Sequence, residues 1–186
     1  MKTALLVIDI QNDYFPAGRM ELAGSEVAAA CAARLLHAFR QAQWPVFHVQ
    51  HIAINPGAGF FLPNSSGAEI YPSVTPTGDE TVIVKHYPNS FRATDLLEKL
   101  RAEEVDSLLV CGMMTHMCVD ATVRAAFDLG FSCTVAHDAC ASRELSFNNL
   151  SIPAEHVHGA FLAALGAVYC QLKETDAILA TIRNSA

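Results

Sequence analysis

The chain alternates short runs of apolar residues with longer segments in which apolar residues recur every three or four positions. The short runs are continuous, which is typical of parallel β-strands covered on both faces. We predict strands at residues 4–8, 46–49, 81–84, 107–111 and 133–136, and a sixth strand near residues 167–172. The longer segments predict helices at residues 26–43, 94–103, 117–129, 154–165 and 175–183.

Strands that alternate with helices predict a doubly wound α/β fold. In this fold, helices cover both faces of a mostly parallel sheet and give three layers, α/β/α. A chain of 186 residues suffices for one well-buried domain and is too short for two of ordinary size. We therefore expect residues 1–186 to form a single domain around a six-stranded sheet.

One long segment interrupts the alternation of strands and helices. Residues 55–79 contain four prolines and four glycines and show no clear period. A loop of this length inside a compact domain usually has a function. We expect either a lid over the site or an arm that reaches a neighbouring subunit, and a plain surface loop is the alternative.

Composition and charge exclude several classes of partner. The chain is 52% hydrophobic and 17% charged, which argues against disorder, and its net charge is −7. An acidic chain without a basic arm is a poor ligand for nucleic acid or an anionic membrane. Residues 1–9 resemble neither a signal peptide nor a membrane span, so we expect a cytoplasmic protein that acts on a small molecule.

The six cysteines do not suggest a disulfide framework. Such frameworks belong to small secreted chains with poor cores, whereas this chain has a rich core and no CxxC pair. Most of the cysteines stand among apolar residues and are expected to pack as small hydrophobic side chains.

Three reactive side chains are expected at one edge of the predicted sheet. Asp9 follows the first strand, Lys85 ends the third, and Cys118 comes shortly after the fourth. Ligands in open α/β sheets bind beyond the carboxyl ends of the strands. Each residue alone has a plain structural explanation, as a turn cap, a solvated lysine or a buried thiol. Their shared placement indicates a reactive site.

The chemistry of the three residues is coherent. A thiol is nucleophilic as the thiolate, which a helix N-terminus favours. A carboxylate can accept the thiol proton, and an ammonium offsets the negative charge. The loop that contains Cys118 could also direct backbone N–H groups at an oxyanion. The set favours acyl transfer.

Four motifs make the chain resemble the isochorismatase-like cysteine hydrolases over about residues 3–182. They are Asp9-Ile-Gln-Asn-Asp13, the strand end at Lys85, Gly112-Met-Met-Thr-His-Met-Cys-Val119, and Asp138-Ala-Cys-Ala-Ser-Arg143. The segment Ile152-Pro-Ala-Glu-His-Val-His158 adds to the resemblance.

The resemblance implies a catalytic triad in which Asp9 is the general base, Lys85 orients and balances charge, and Cys118 is the nucleophile. It also implies a cis peptide bond between Met113 and Met114. The N–H groups of Met114 and Cys118 would then form the oxyanion hole.

Two departures within the family narrow the function that the resemblance implies. True isochorismatases lack a nucleophilic cysteine at this position, so Cys118 favours hydrolysis of an amide or another C–N bond. Nicotinamidases bind a metal through an Asp-x-His motif and a further histidine, whereas this chain has Val49-Gln-His51 and no matching second histidine. A lone histidine is a poor metal site, so we expect neither a metal nor another cofactor.

Nearness in sequence to the triad makes Tyr14, Phe91 and Met117 candidate walls of the substrate pocket. His116 also lies in the nucleophile loop, without an assigned role. We expect hydrolysis of an amide-type C–N bond through a thioester acyl-enzyme. A ureido, carbamoyl or lactam bond, or a non-catalytic binding protein with the same fold, are the alternatives.

The family resemblance points to a homo-oligomer, a dimer or tetramer. Two apolar segments suggest the contact surface, Phe60-Phe61-Leu62 in the long loop and the helix around residues 159–166.

Overall fold

A computed structural model describes residues 2–78 and 80–183 of the chain. The strands are β1 (Thr3–Ile8), β2 (Val46–His51), β3 (Thr81–Lys85), β4 (Ser107–Met113), β5 (Ser132–Ala141), β6 (Leu145–Phe147), β7 (Leu150–Ile152) and β8 (Gln171–Lys173). The helices are α1 (Ser25–Gln41), α2 (Leu96–Ala102), α3 (Asp120–Asp128), α4 (Ala154–Val168) and α5 (Thr175–Arg183).

The central sheet has six parallel strands in the order β3-β2-β1-β4-β5-β8. Strand β1 lies in the middle and pairs with β2 on one side and β4 on the other. Five of its six residues are fully buried, which explains why its sequence is continuously apolar. The predicted three-layer α/β/α fold is confirmed.

Each face of the sheet has its own core. Because successive strand residues point to opposite faces, Leu5 and Val7 of β1 pack on the side of α1 and α5. Leu6 and Ile8 pack on the side of α2, α3 and α4. The sheet is therefore held between two hydrophobic layers, and its strand ends are fixed in position.

Gly112 permits a close approach of β4 to β1 near the carboxyl edge. Its φ is +131°, and a Cβ at this position would lie 2.0 Å from the carbonyl oxygen of Ile8. The register between β4 and β5 shifts between Val110 and Gly112. Only glycine fits here, because any Cβ would clash with the backbone of β1. The irregularity lies beside the end of β1, which is followed by Asp9.

The sixth strand of the sheet lies later in the chain than predicted. Helix α4 continues to Val168, and the strand is Gln171–Lys173, not residues 167–172. Gly166, just beyond the predicted helix end at residue 165, lies inside α4. A Cβ on Gly166 would lie 2.8 Å from Cδ1 of Leu172, so the glycine allows β8 to pack close to the helix.

A two-stranded hairpin of β6 and β7 was not predicted. Its turn residues Asn148 and Asn149 both have positive φ, at 49° and 62°. A two-residue turn of this kind matches the twist of an antiparallel pair, and asparagine tolerates the left-handed conformation. The Asn-Asn pair between apolar residues was the signal in the sequence.

The long loop is packed against its own chain over the residues that the structure describes; Asp79, its predicted end, lies outside them. Two 3-10 turns, Ser66–Ala68 and Pro72–Val74, give it local structure. The Tyr71 ring stacks on Phe15 with centroids 3.4 Å apart. In this structure the loop packs beside the carboxyl edge of the sheet.

None of the helices in the described parts of the chain is long and apolar enough to span a membrane.

The exposed apolar surface differs from the one that the sequence suggested. Phe61 is 1% exposed and packs against Tyr14, so the Phe60-Phe61-Leu62 segment belongs largely to the core of its own chain. Phe147 and Leu150 of the hairpin are each 68% exposed, and Val168 at the end of α4 is 64% exposed. Exposed apolar groups of this size mark a candidate contact surface.

We expect a homo-oligomer whose contact includes the β6–β7 hairpin. Phe147→Asp should then shift light scattering from the oligomer toward the 20.0 kDa of a single chain, because it places a charge in an apolar contact. Ile54→Asp, at an exposed apolar residue outside the hairpin, should leave the mass unchanged. A wild-type chain that is already a single 20.0 kDa species at micromolar concentration would contradict the expectation.

Candidate active site

The fold brings the three predicted reactive side chains to the carboxyl edge of the sheet. Asp9 follows β1 directly, and Lys85 is the last residue of β3. Cys118 lies in a wide helical turn, Thr115–Val119, that joins β4 to α3. Strand β1 pairs with β2 and β4, and β2 pairs with β3, so the parallel strands bring these residues to one edge of the sheet.

The ammonium group of Lys85 contacts four neighbouring groups. Its Nζ lies 2.7 Å from Oδ2 of Asp9 and 3.2 Å from Sγ of Cys118. It also lies 3.0 Å from Nδ1 of His51 and 3.1 Å from the carbonyl oxygen of Tyr87. The carboxylate and the thiol are therefore linked through one cation.

The charges of the cluster are buried. Asp9 and Lys85 are 0% exposed, and Cys118 is 4% exposed. Burial alone lowers the pKa of Lys85, but the negative charge of Asp9 and the contact with Cys118 outweigh it and raise that pKa above its usual value. Lys85 is consequently a cation at neutral pH, and its charge balances the Asp9 carboxylate.

The resting form of Cys118 is the thiol. Burial raises its pKa well above the usual value, the Asp9 carboxylate raises it further, and Lys85 lowers it in part. The sequence had suggested that a helix N-terminus would lower this pKa. Burial outweighs that effect, because a thiolate beside an ionised Asp9 would leave the site with a net negative charge.

Asp9 is suited to accept a proton. Both of its carboxylate oxygens are buried without a hydrogen-bond partner among the described residues, and Oδ2 forms an ion pair with Lys85. A buried oxygen without a partner is costly and is often found where it serves a reaction. The residue also has a φ of +49°, an uncommon conformation for a residue other than glycine.

The turn that contains Cys118 is fixed from both sides. The hydroxyl of Thr115 donates to the carbonyl oxygen of Ala141 and lies 2.8 Å from Nδ1 of His158. Nδ1 of His116 lies 2.7 Å from the hydroxyl of Ser142. These contacts tie the turn to the end of β5 and to α4, and they give His116 a structural partner.

The peptide bond between Met113 and Met114 is cis, in agreement with the expectation from the sequence. The carbonyl oxygen of Met114 accepts hydrogen bonds from the N–H groups of Met117 and Val119, which closes the turn. An oxyanion hole formed by the N–H groups of Met114 and Cys118 remains a prediction.

The three candidate pocket residues differ in their placement. Tyr14 is buried, and burial together with the charges of Cys118 and Asp9 raises its pKa, so it lies near the cluster. Met117 is 41% exposed and directly precedes Cys118. The ring of Phe91 stacks on Phe131, which directly precedes β5. A role for Phe91 as a pocket wall remains a prediction.

The residues after Asp9 hold the long loop. Oε1 of Gln11 accepts a hydrogen bond from the N–H of His51. Nε2 of Gln11 donates to the carbonyl oxygens of His51 and Ala68. Asp13 accepts a 2.6 Å hydrogen bond from the N–H of Phe61. The Asp9–Asp13 motif therefore carries the carboxylate of the site and also fastens the loop beside it.

His51 is the member of the cluster that the sequence reasoning underestimated. It was considered only as a lone metal ligand. It ends β2, and β2 lies between β1 and β3. The rule that selected Asp9 and Lys85, a polar residue at the carboxyl end of a strand, also selects His51.

Asp9, His51 and Cys118 have the ligand types and spacing for a metal ion. One ligand atom from each lies within 4.8 Å of the others. The Lys85 ammonium, however, lies 2.7–3.2 Å from all three of these atoms. A divalent cation between these atoms would be repelled by the ammonium charge and would compete with it for the same space. These residues therefore do not fit a metal while Lys85 is in place.

Comparison with known proteins agrees with this fold. The Isochorismatase domain model matches residues 3–160. The isochorismatase family protein YddQ of Bacillus subtilis, itself uncharacterized, is 58% identical over 179 residues, covering 96% of this chain and 99% of that protein. An isochorismatase hydrolase structure from Oleispira antarctica has 48% identity and a TM-score of 0.92, with 96% of each chain covered. Streptothricin hydrolase of Streptomyces noursei is 34% identical over 142 residues, covering 76% of this chain and 55% of that protein.

The fold and these matches define the class of protein, which is a hydrolase. The chain belongs to the isochorismatase family, as the resemblance of its motifs indicated.

Because Lys85 lies between the three possible metal ligands, we predict that the wild type binds no metal ion. After dialysis against zinc and then buffer, elemental analysis of the wild type and of Lys85→Met should find no stoichiometric zinc. Lys85→Ala, which removes both the charge and the bulk, should retain about one zinc per chain on Asp9, His51 and Cys118. Stoichiometric zinc in the wild type would contradict this account.

Proposed function

We propose that the protein is a cysteine hydrolase that cleaves an amide-type C–N bond of a small molecule through a thioester acyl-enzyme. One observation carries the proposal: a buried ammonium, Lys85, contacts both a carboxylate, Asp9, and a thiol, Cys118. A thiol beside a base and an orienting cation is the arrangement that activates a nucleophile.

The first half-reaction forms the acyl-enzyme. The proton of the Cys118 thiol passes to Asp9, and the electron pair left on sulfur attacks the carbonyl carbon. The carbonyl oxygen becomes an oxyanion that accepts hydrogen bonds from the N–H groups of Met114 and Cys118. The C–N bond then breaks, Asp9 returns the proton to the leaving nitrogen, and a thioester remains on Cys118.

The second half-reaction releases the acid. Asp9 removes a proton from water, whose oxygen attacks the thioester carbon. The S–C bond breaks, and the sulfur recovers the proton from Asp9. Because Asp9 gives up in each half-reaction the proton that it accepts, the summed charge of the three side chains returns to its starting value after each half-reaction.

Net charge supports Asp9 as the base. Transfer of the thiol proton to Asp9 converts a carboxylate and a thiol into a carboxyl and a thiolate. The cluster of Asp9, Lys85 and Cys118 is neutral before and after. The Coulomb repulsion that raises the pKa of Cys118 is removed at the same moment, since Asp9 is no longer ionised.

The relative that acts on streptothricin supports hydrolysis of a nitrogen-containing small molecule. The bond could be a simple amide or a ureido, carbamoyl or lactam bond. A panel of small amides, ureides and lactams, assayed for release of ammonia or amine, separates these substrates. Failure of every member of the panel, at enzyme concentrations that detect a single turnover, would overturn the proposal.

The triad variants test the assigned roles. Turnover should be nearly abolished in Cys118→Ser, because a hydroxyl ionises far less readily than a thiol. Asp9→Asn should lose at least about a hundredfold, since it removes the base of both half-reactions. Lys85→Met should lose about a hundredfold, or roughly 3 kcal/mol of transition-state stabilisation.

Burial of the ion pair requires a folding control. Lys85→Met leaves a buried carboxylate without its cation, which costs about 3–5 kcal/mol of folding free energy for a typical pair. The double variant Asp9→Asn/Lys85→Met removes both charges and should regain most of the lost thermal stability while remaining inactive. Near wild-type turnover in Lys85→Met, with an unchanged melt, would show that Lys85 has no catalytic role.

A further inference from the structure

His51 contacts the catalytic cluster, yet the reaction described above does not use it. It ends β2, and its partner in the parallel register of β3 is Lys85. Its Nδ1 lies 3.0 Å from Nζ of Lys85 and 3.9 Å from Oδ2 of Asp9. The imidazole therefore faces the ammonium more closely than it faces the carboxylate.

The backbone of His51 is held by the segment that follows β1 and contains Asp9. The N–H of His51 donates to Oε1 of Gln11 at 2.7 Å, and Nε2 of Gln11 donates to the carbonyl oxygen of His51 at 2.9 Å. Gln11 is two residues after Asp9. The carboxylate and the imidazole thus share one rigid support.

The contact with Lys85 fixes the state of the imidazole. An ammonium group has donors and no acceptor, so Nδ1 of His51 must accept and the ring proton must lie on Nε2. Burial lowers the pKa of His51 to about 4, and the charge of Lys85 contributes to the shift. The ring is consequently neutral at the pH where Lys85 is charged.

The number of donors on Lys85 then becomes important. An ammonium has three N–H bonds, whereas Asp9, His51, Tyr87 and Cys118 present four acceptors at 2.7, 3.0, 3.1 and 3.2 Å. His51 and the carbonyl oxygen of Tyr87 do not change charge during the reaction. Asp9 and Cys118 exchange their negative charge.

We propose that His51 is a positioning residue for Lys85. Its neutral imidazole and the carbonyl oxygen of Tyr87 hold two N–H bonds of the ammonium. The third therefore stays directed at Sγ of Cys118, where it stabilises the thiolate that forms when the thiol proton moves to Asp9. This inference rests on the proposed thiol–carboxylate chemistry. It assigns His51 to the support of the thiolate, with no direct contact to substrate.

The test uses two variants of similar shape. His51→Leu removes the acceptor, and His51→Asn places an amide oxygen near the position of Nδ1. The readout is the rate at which iodoacetamide alkylates Cys118, followed by peptide mapping from pH 6 to 10. This readout needs no substrate, and the five other cysteines serve as internal references.

In His51→Leu the rate of alkylation of Cys118 should fall roughly tenfold at each pH below the thiol pKa, the change that a rise of about one pKa unit produces. His51→Asn should restore the rate to within about twofold of the wild type, on the same scale. The other cysteines should react as in the wild type. An unchanged Cys118 profile in His51→Leu, with both variants folded, overturns the proposal.

The tautomer of His51 gives an independent measurement that does not depend on a variant. Nitrogen NMR of the wild type, labelled in its histidines, should show the proton of His51 on Nε2 from pH 6 to 9. A proton on Nδ1 would remove the acceptor that the proposal requires and would overturn it.

The outcomes separate this inference from the proposed function. A shifted alkylation profile in His51→Leu, together with an inactive substrate panel, supports the positioning role and contradicts amide hydrolysis. An unshifted profile, together with amide hydrolysis that depends on Cys118, overturns the positioning role and leaves the proposed function in place.

Discussion

The site depends on one buried cation. An ammonium removed from water is costly unless acceptors surround it, and the 0% exposed Lys85 has four of them, at 2.7–3.2 Å. One acceptor is the carboxylate that balances its charge, and another is the thiol. Negative charge can move between Asp9 and Cys118 without leaving the reach of the cation. The cluster is therefore stable with a thiol at rest and remains able to form a thiolate when the proton moves.

The parallel sheet supplies the geometry that this cation requires. Strands β3, β2 and β1 are adjacent, and they end in Lys85, in His51 and just before Asp9. Gly112 lets β4 approach β1 closely enough to lead the chain into the turn that presents Cys118. Gln11 and Asp13 then fasten the strand end and the long loop beside it. Two hydrophobic layers hold the strands, so the reactive atoms need no support from solvent-exposed side chains.

Much of this arrangement could be predicted from the sequence, because buried parallel strands have continuous apolar runs and their carboxyl ends meet at one edge. That reasoning found Asp9, Lys85 and Cys118. It missed His51, which was weighed as a metal ligand and not as a neighbour of Lys85, since the strand order β3-β2-β1 is a tertiary property. The predicted helix ended at residue 165, whereas α4 continues to Val168. The contact between Gly166 and Leu172 is a matter of tertiary packing, which the apolar period of the sequence does not show. The thiol state of Cys118 also depends on burial, which the sequence does not quantify.

The central claim is that Cys118 carries the acyl group during turnover. The most direct measurement mixes enzyme with an amide that it hydrolyses, quenches with acid within one turnover, and maps the peptides by mass spectrometry. We predict a mass increase equal to the acyl group on the peptide that contains Cys118. This adduct should be absent in Cys118→Ala, which should also lack turnover. Hydrolysis of the same amide by Cys118→Ala at the wild-type rate, with no adduct in either protein, would contradict the account.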